Sequence, residues 1–241
     1  MRLQTLLHAV FPPECLCCGA RVETDFAICG PCWGATPFVF GANCDLCGLG
    51  LPGQTDHGDR LICEDCHVIA RPWAKGRAVL HYSDNGRKLV LGLKHGDRAE
   101  VARAAGPWLA RAGADLLADD PLILPIPLHW RRLAQRRYNQ AALLARSLAR
   151  VSGCDWEPDV LIRSRFTGTQ DGRDRDGRFA NLDGAIRVHP KRAARISGRR
   201  VVLVDDVMTS GATFSAATQA CLAAGAEQVC VIALARVARD A

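Results

Sequence analysis

No stretch of this chain is apolar over the roughly 18 consecutive positions that a membrane-spanning helix needs. The amino-terminal segment also lacks a signal-peptide core. Its Leu3, Leu6, Leu7, Val10 and Phe11 fall at helical spacing and Pro12-Pro13 ends it, so residues 1–11 read as a short amphipathic helix packed on the protein. These two absences predict a cytoplasmic protein whose cysteines are reduced. Aromatic residues are few, at 6% of the chain, and only Trp130, Tyr138, Phe166 and Phe179 interrupt the arginine-rich segments. A stacking platform for single-stranded nucleic acid wants several aromatics on one face, and these segments do not announce one. The glycine loop near the carboxyl terminus has no lysine after Gly211, which excludes the nucleotide P-loop pattern.

The chain is long enough, at 241 residues, to bury a substantial core, with room for one domain and a small appendage. Its net charge of +6 is unevenly spread, with arginines gathered at 131–137, 163–178 and 187–200. Such clusters favour polyanionic partners, either pyrophosphate or nucleic acid, or else form a solvated surface.

The most informative stretch runs from Val201 to Thr213. Val201 to Val204 are apolar without alternation, which predicts a strand covered on both faces. Asp205 and Asp206 follow where that strand is expected to end, and Thr209, Ser210, Gly211, Ala212 and Thr213 form a short loop of hydroxyls and glycine. From Ala212 to about Ala224 the residues are helix formers, and Gly225 is the expected stop. A loop of this composition at a helix start aims N–H groups and hydroxyls at one small space, which suits a monophosphate. Carboxylates directly before such a cradle would repel phosphate; they suit sugar hydroxyls, with Mg²⁺ nearby.

At the other end of the chain, nine of the 12 cysteines lie before residue 67, and eight form four C-x-x-C pairs. Two thiolates in one such hairpin converge on an ion, and two hairpins complete a tetrahedral site. The intervals assign Cys15, Cys18, Cys29 and Cys32 to one ribbon and Cys44, Cys47, Cys63 and Cys66 to the next. All-cysteine sets with no open position predict two structural zinc ions that supply much of this segment's stability. Cys17 is left as a spare thiol, with register exchange against Cys18 the alternative; His57 and His67 are not needed as ligands. Glu14, Glu23, Asp25, Asp45, Asp56, Asp59, Glu64 and Asp65 argue against this segment being the main nucleic-acid surface.

After Pro72 the pattern becomes α/β. Strands are expected at Arg77–Tyr82, Pro121–Pro127, Val160–Arg163 and Gln228–Ala235, and helices at Arg87–Lys94, Arg98–Ala112 and Ala141–Val151. Residues 164–181 read as a polar loop. Strands separated by helices imply a doubly wound, mainly parallel sheet with its ligand at the strand ends. The expected division is residues 1–72, the short helix and double ribbon, and residues 73–241, the α/β domain.

The Asp205-Asp206 loop resembles the ribose-phosphate loop of type I phosphoribosyltransferases, which bind phosphoribosyl pyrophosphate (PRPP). The resemblance implies that the paired acids contact the ribose hydroxyls and serve catalysis, and that Thr209 to Thr213 wrap the 5′-phosphate. Four further segments stand in the right order: the four knuckles, Leu93-Lys94-His95-Gly96-Asp97, Pro125-Ile126-Pro127-Leu128 through Arg137-Tyr138-Asn139-Gln140, and Thr167-Gly168-Thr169-Gln170 with Arg178-Phe179-Ala180-Asn181. Together the set resembles the ComF family of competence-associated proteins, with Tyr138 in place of the more usual Phe and Arg173 where an apolar residue is expected. That resemblance implies cytoplasmic handling of imported DNA, by a phosphoribosyltransferase or by a non-catalytic PRPP-sensing adaptor. The adaptor would use its basic surface to bind single-stranded DNA or a helicase partner. Lys94, Arg137, Asn139, Gln140, Gln170, Arg178 and Asn181 are the candidate pyrophosphate and loop residues, with Mg²⁺ accompanying PRPP.

Overall fold

The computed structural model describes residue 8 and residues 11–53, 60–95, 98–165 and 184–238. The expected helix at residues 1–11 therefore falls almost entirely outside the described residues. So do Gln170, Arg178 and Asn181.

Each cysteine ribbon ends in a one-turn helix, α1 (Gly30–Gly34) and α2 (Glu64–Val68). A cysteine is the N-cap of each, Cys29 and Cys63, and the next ligand, Cys32 or Cys66, sits three residues on and on the same side of the turn. The first knuckle of each ribbon closes through a glycine at positive φ, +76° at Gly19 and +68° at Gly48. A Cβ at Gly48 would lie 2.2 Å from the backbone nitrogen of Ala78, so the second ribbon meets the following domain backbone to backbone.

The α/β part runs β1 (Gly76–His81), α3 (Asp84–His95), α4 (Glu100–Ala112), β2 (Leu122–Pro125), α5 (Trp130–Arg136) and α6 (Gln140–Ser152). It continues with β3 (Leu161–Arg163), β4 (Ile186–Val188), a 3₁₀ turn at Pro190–Arg195, β5 (Arg200–Met208), α7 (Ala212–Ala223) and β6 (Gln228–Arg236). Four strands form an all-parallel sheet in the order β1-β6-β5-β2. This confirms the mainly parallel sheet covered on both faces, as in phosphoribosyltransferase folds. Alternate residues of each strand enter different cores. Val201, Leu203, Val229, Val231 and Ala233 face α7 and the second ribbon. Val202, Val204, Cys230, Ile232 and Leu234 face α4 and α6.

The first core does not stop at the ribbon. Cys44, Leu46, Cys47, Cys63 and Cys66 pack in one continuous cluster with sheet residues, through Trp73. The Trp73 indole N–H donates to the Leu46 carbonyl, and its ring meets Phe214 edge-on with centroids 6.2 Å apart.

Three expectations need correction. Val160–Arg163 does supply a strand, but β3 pairs antiparallel with β4 in a separate two-stranded sheet, because Leu161 and Ile186 cover α7 instead of extending the main sheet. The arginine cluster at 131–137, read as charge for a polyanion with no element expected, contains helix α5, capped by the His129 side chain accepting from the Arg131 N–H. Finally, β5 does not end at Val204. Its partner β6 continues to Arg236, so pairing carries on through Asp205 and Val207 to Met208.

Candidate functional site

Each set of four ribbon cysteines brings its Sγ atoms within 4.8 Å of one another. Thiolates each about 2.3 Å from one zinc stand about 3.8 Å apart in a tetrahedron. Cys18 and Cys29 are 3.7 Å apart, and Cys47 and Cys63 are 3.6 Å apart, so both sets fit structural zinc. The second set is wholly buried; in the first, Cys18 is exposed. The surroundings favour thiolate at one cysteine of each set, Cys15 and Cys44. Burial opposes charge at Cys15, but N–H groups of Cys29, Cys18 and Cys17 outweigh it and hold the thiol at about 6. Hydrogen bonds from Cys47 and Cys66 drive Cys44 well down, while sharing protons with Cys44 and Cys47 drives Cys66 up. Cys17 stands outside the cluster, and burial beside Cys15 and Cys18 pushes it up to about 11, so it is the spare thiol and Cys18 the ligand.

The second constellation lies at the carboxyl end of the parallel sheet, where open α/β folds place ligands. Val207 to Phe214 line a small cradle of about 30 Å³. Gly211 is the N-cap of α7 at φ +84°, and Ser210 Oγ accepts from the Ala212 N–H at 3.4 Å. The remaining N–H groups of the first turn have no intrahelical acceptor.

Behind the cradle the two acids do different things, because neighbours on a strand point to opposite faces. Asp206 is nearly buried and faces α3, where Lys94 Nζ sits 3.2 Å from its Oδ1. Asp205 faces the β3–β4 side; its Oδ1 accepts from the Asp206 N–H at 2.8 Å. Burial and the Asp206 charge push Asp205 up to about 7, against the pull of that N–H, Lys94 and Arg163. Arg163, from β3, is itself held below its usual value by burial and by Arg132, with Asp205 opposing. Burial together with Arg131, Arg163 and Arg132 likewise depresses His129. Arg132 and Arg163 thus form a cationic pair beside Asp205, with the His129 ring held toward its neutral form next to them.

The Arg137-Tyr138-Asn139-Gln140 segment makes contacts within the protein. Tyr138 OH donates to the Leu93 carbonyl at 2.9 Å, next to Lys94. Asn139 Nδ2 donates to the Ile126 carbonyl at 3.0 Å while its Oδ1 caps α6 through the Ala141 N–H. Gln140 is 1% exposed and accepts from Arg136; Arg137 is exposed and ends α5 in a left-handed turn. Tyr138 and Asn139 therefore hold Lys94 and the loop after β2 in register, Gln140 braces the end of α5, and Arg137 turns the chain between α5 and α6. A larger cavity of about 730 Å³ lies at the opposite end of the strands, lined by Lys75, Asp115, Arg200 and Gln228 among others, far from the acids.

With this geometry in view, residues 6–67 match the double zinc ribbon domain and residues 139–241 the phosphoribosyl transferase domain. The DNA utilization protein YhgH of Escherichia coli K12 is 31% identical over 228 residues, covering 92% of this chain and 89% of that one. Competence protein F of Haemophilus influenzae is 29% identical (80% and 84% covered), and competence protein ComFC of Bacillus subtilis is 26% identical (85% and 81%). The chain belongs to the ComF family. Among solved structures, the glutamine phosphoribosylpyrophosphate amidotransferase of B. subtilis is alike with a TM-score of 0.40, 19% identity and 59% of this chain covered, against 30% of that chain. That likeness is too partial to bear on function.

Two parts of this ComF site were not singled out from the sequence: Arg163, placed only at a strand end and in the 163–178 arginine cluster, and His129. The signals were there: an arginine closing an apolar Val-Leu-Ile run, and a histidine directly before the arginines of α5.

Proposed function

We propose that this ComF protein binds PRPP at the carboxyl end of its parallel sheet. The observation that carries the reading is one juxtaposition: the Val207–Phe214 cradle, the Asp205 and Asp206 carboxylates, and the cations Lys94, Arg163 and Arg132 meet at the carboxyl end of the sheet. In this reading the cradle takes the 5′-phosphate on N–H groups and on the hydroxyls of Thr209, Ser210 and Thr213. Asp205 and Asp206 accept from ribose hydroxyls, which relieves the burial of two adjacent carboxylates. Arg132 and Arg163 offer charge-assisted bonds to pyrophosphate oxygens, each worth about 1.5–3 kcal/mol. Mg²⁺ bound with PRPP would neutralise the leaving pyrophosphate. The chain's own contribution is to position the ribose and to stabilise charge as the anomeric bond breaks.

Whether turnover follows is what separates the two functions open to the site. A transferase releases pyrophosphate when an acceptor is supplied; a sensor holds PRPP unchanged. The relatives' names, DNA utilization and competence, support a role in DNA handling on either path. One surface gives the DNA-binding reading support. Trp33, Phe38, Phe40 and Trp108 form one aromatic group, with centroids of successive rings 4.6–6.1 Å apart, and Arg111 stands over Phe40. Trp33 and Phe40 are exposed. Bases stack on such rings at about 1–3 kcal/mol each.

The test is calorimetric titration with PRPP and Mg²⁺, followed by pyrophosphate release against a panel of amines, bases and oligonucleotides. Release that disappears in Asp206→Asn supports the transferase, and tight binding without release supports the sensor. No binding of PRPP by the zinc-loaded protein overturns both.

A further inference from the structure

The phosphate cradle is held from behind by two arginines that are themselves anchored on the second zinc ribbon. Arg71 Nη1 donates to the Ser210 carbonyl at 2.5 Å, and its Nε reaches the Cys66 Sγ at 3.4 Å. Its guanidinium also lies over Trp73, 5.4 Å from the ring centroid. Arg236, only 2% exposed, donates from Nη1 to the Met208 and Thr209 carbonyls at 3.3 and 2.7 Å. Its Nη2 stands 3.6 Å from Asp65 Oδ2, one residue before Cys66.

Three consecutive loop carbonyls are therefore fixed by two side chains that lead to one knuckle. In a trans peptide the carbonyl of one residue and the N–H of the next point in opposite directions. Fixing the carbonyls of Met208, Thr209 and Ser210 consequently aims the N–H groups of Thr209, Ser210 and Gly211 away from the arginines. Gly211 is required for this approach: a Cβ there would lie 2.6 Å from Arg71 Nη1 and 3.0 Å from the Trp73 ring.

We propose that Arg71 and Arg236 are positioning residues through which the second four-cysteine site sets the phosphate loop, so that zinc retention there and ribose-phosphate affinity are thermodynamically coupled. This rests on the reading of the cradle as a PRPP site. Linkage makes the coupling reciprocal: if bound zinc favours PRPP, bound PRPP must tighten the hold on that zinc by the same equilibrium factor. The first four-cysteine site has no such connection among the described residues and serves as an internal control.

The experiment uses the full zinc-loaded chain and its Arg71→Gln and Asp65→Asn variants, neither of which removes a zinc ligand. Zinc transfer to a chromogenic chelator is followed with and without PRPP and Mg²⁺, and Cys18→Ser isolates the second site's signal. At equilibrium with the chelator, the wild type should hold the second-site zinc about 5- to 150-fold more tightly with PRPP present, the usual range of such couplings. Arg71→Gln should retain two zinc ions yet bind PRPP more weakly by a similar factor and lose the PRPP effect on zinc affinity. Arg71→Lys keeps the charge but has one donor group for two acceptors, so it should fail as Gln does. Wild-type coupling in both Arg71 variants overturns the proposal, as does PRPP binding that leaves zinc affinity unchanged. If PRPP does not bind at all, the functional reading fails on its own, and amide hydrogen exchange decides the coupling. Residues 209–214 should then exchange faster in Arg71→Gln and Asp65→Asn than in the wild type, and equal rates overturn the link.

Discussion

Asp205→Asn should stabilise the ligand-free protein above neutral pH while weakening its hold on ribose. Asp205 is pushed from 3.8 up to about 7 by burial and by Asp206. A raised carboxyl pKa means that the folded state holds this proton over a range in which the unfolded chain has lost it. Its contribution to stability is therefore whole below pH 3.8 and falls as pH rises, until it levels off above 7. The full difference corresponds to about 4 kcal/mol at most, and between pH 5 and pH 8 the loss amounts to about 2.6 kcal/mol. Asparagine has nearly the same shape and never ionises, so it escapes that loss. In urea unfolding of the zinc-loaded protein, the variant's advantage should widen by up to about 2.6 kcal/mol from pH 5 to pH 8, or roughly 5–10 °C in Tm. The comparison between variants cancels titrating groups remote from Asp205, including the cysteines. Because Asp205 Oδ1 accepts the Asp206 N–H, and the amide oxygen of Asn can still do so, the backbone geometry should persist. Parallel stability curves for the two proteins across this range would refute the assignment of a destabilised carboxylate at Asp205. Titration with PRPP and Mg²⁺ then checks the second half: affinity should fall in the variant that is the more stable.

The other predictions rest on packing and metal binding. Metal analysis should return two zinc ions per chain, and Cys47→Ser should cost at least about 4 kcal/mol, because that cysteine lies in the core shared with the sheet. Cys18→Ser, at the exposed site, should lose one zinc with a clearly smaller fall in Tm; equal falls would contradict the shared core. Asn139→Ala should cost about 2 kcal/mol, from the lost α6 cap and the lost bond to Ile126, and Asn139→Ser should recover about half, as read by thermal melts. Gly106→Ala should destabilise by about 1–3 kcal/mol despite alanine's better helix propensity, since its Cβ would lie 2.4 Å from Ser147 Oγ at the α4–α6 crossing. Adding Ser147→Ala should restore part of the loss, and strict additivity in that double-mutant cycle would exclude the contact.

What could be read from the sequence, and what could not, divides along the range of the interaction. The four-cysteine sets were legible because each ligand pair is three residues apart, so the chemistry is written into the spacing. The Val201–Thr213 unit was legible for the same reason: strand, acids, loop and helix start are contiguous, and the structure keeps them together. Even there the strand end was misplaced. Where β5 stops is decided by how far β6 accompanies it, and β6 begins some twenty residues later. The same limit explains Asn139 and Gln140. A polar motif at a helix start suits a ligand or a scaffold equally well, and only the Ile126 carbonyl, across the turn from β2, shows that Asn139 is already engaged. Arg71 and Arg236 were wholly illegible. Arg71 lies 139 residues from the Ser210 carbonyl that it holds, and nothing local distinguishes it from the surface arginines in which this chain is rich. Burial is what separates them. An arginine 2% exposed must direct its donors to protein acceptors or suffer a large desolvation penalty, and the acceptors that Arg236 found are the backbone of the phosphate loop and the Asp65 carboxylate of the second knuckle. The two segments most easily recognised along the chain, the knuckles and the ribose-phosphate loop, are thus joined by residues that neither motif contains.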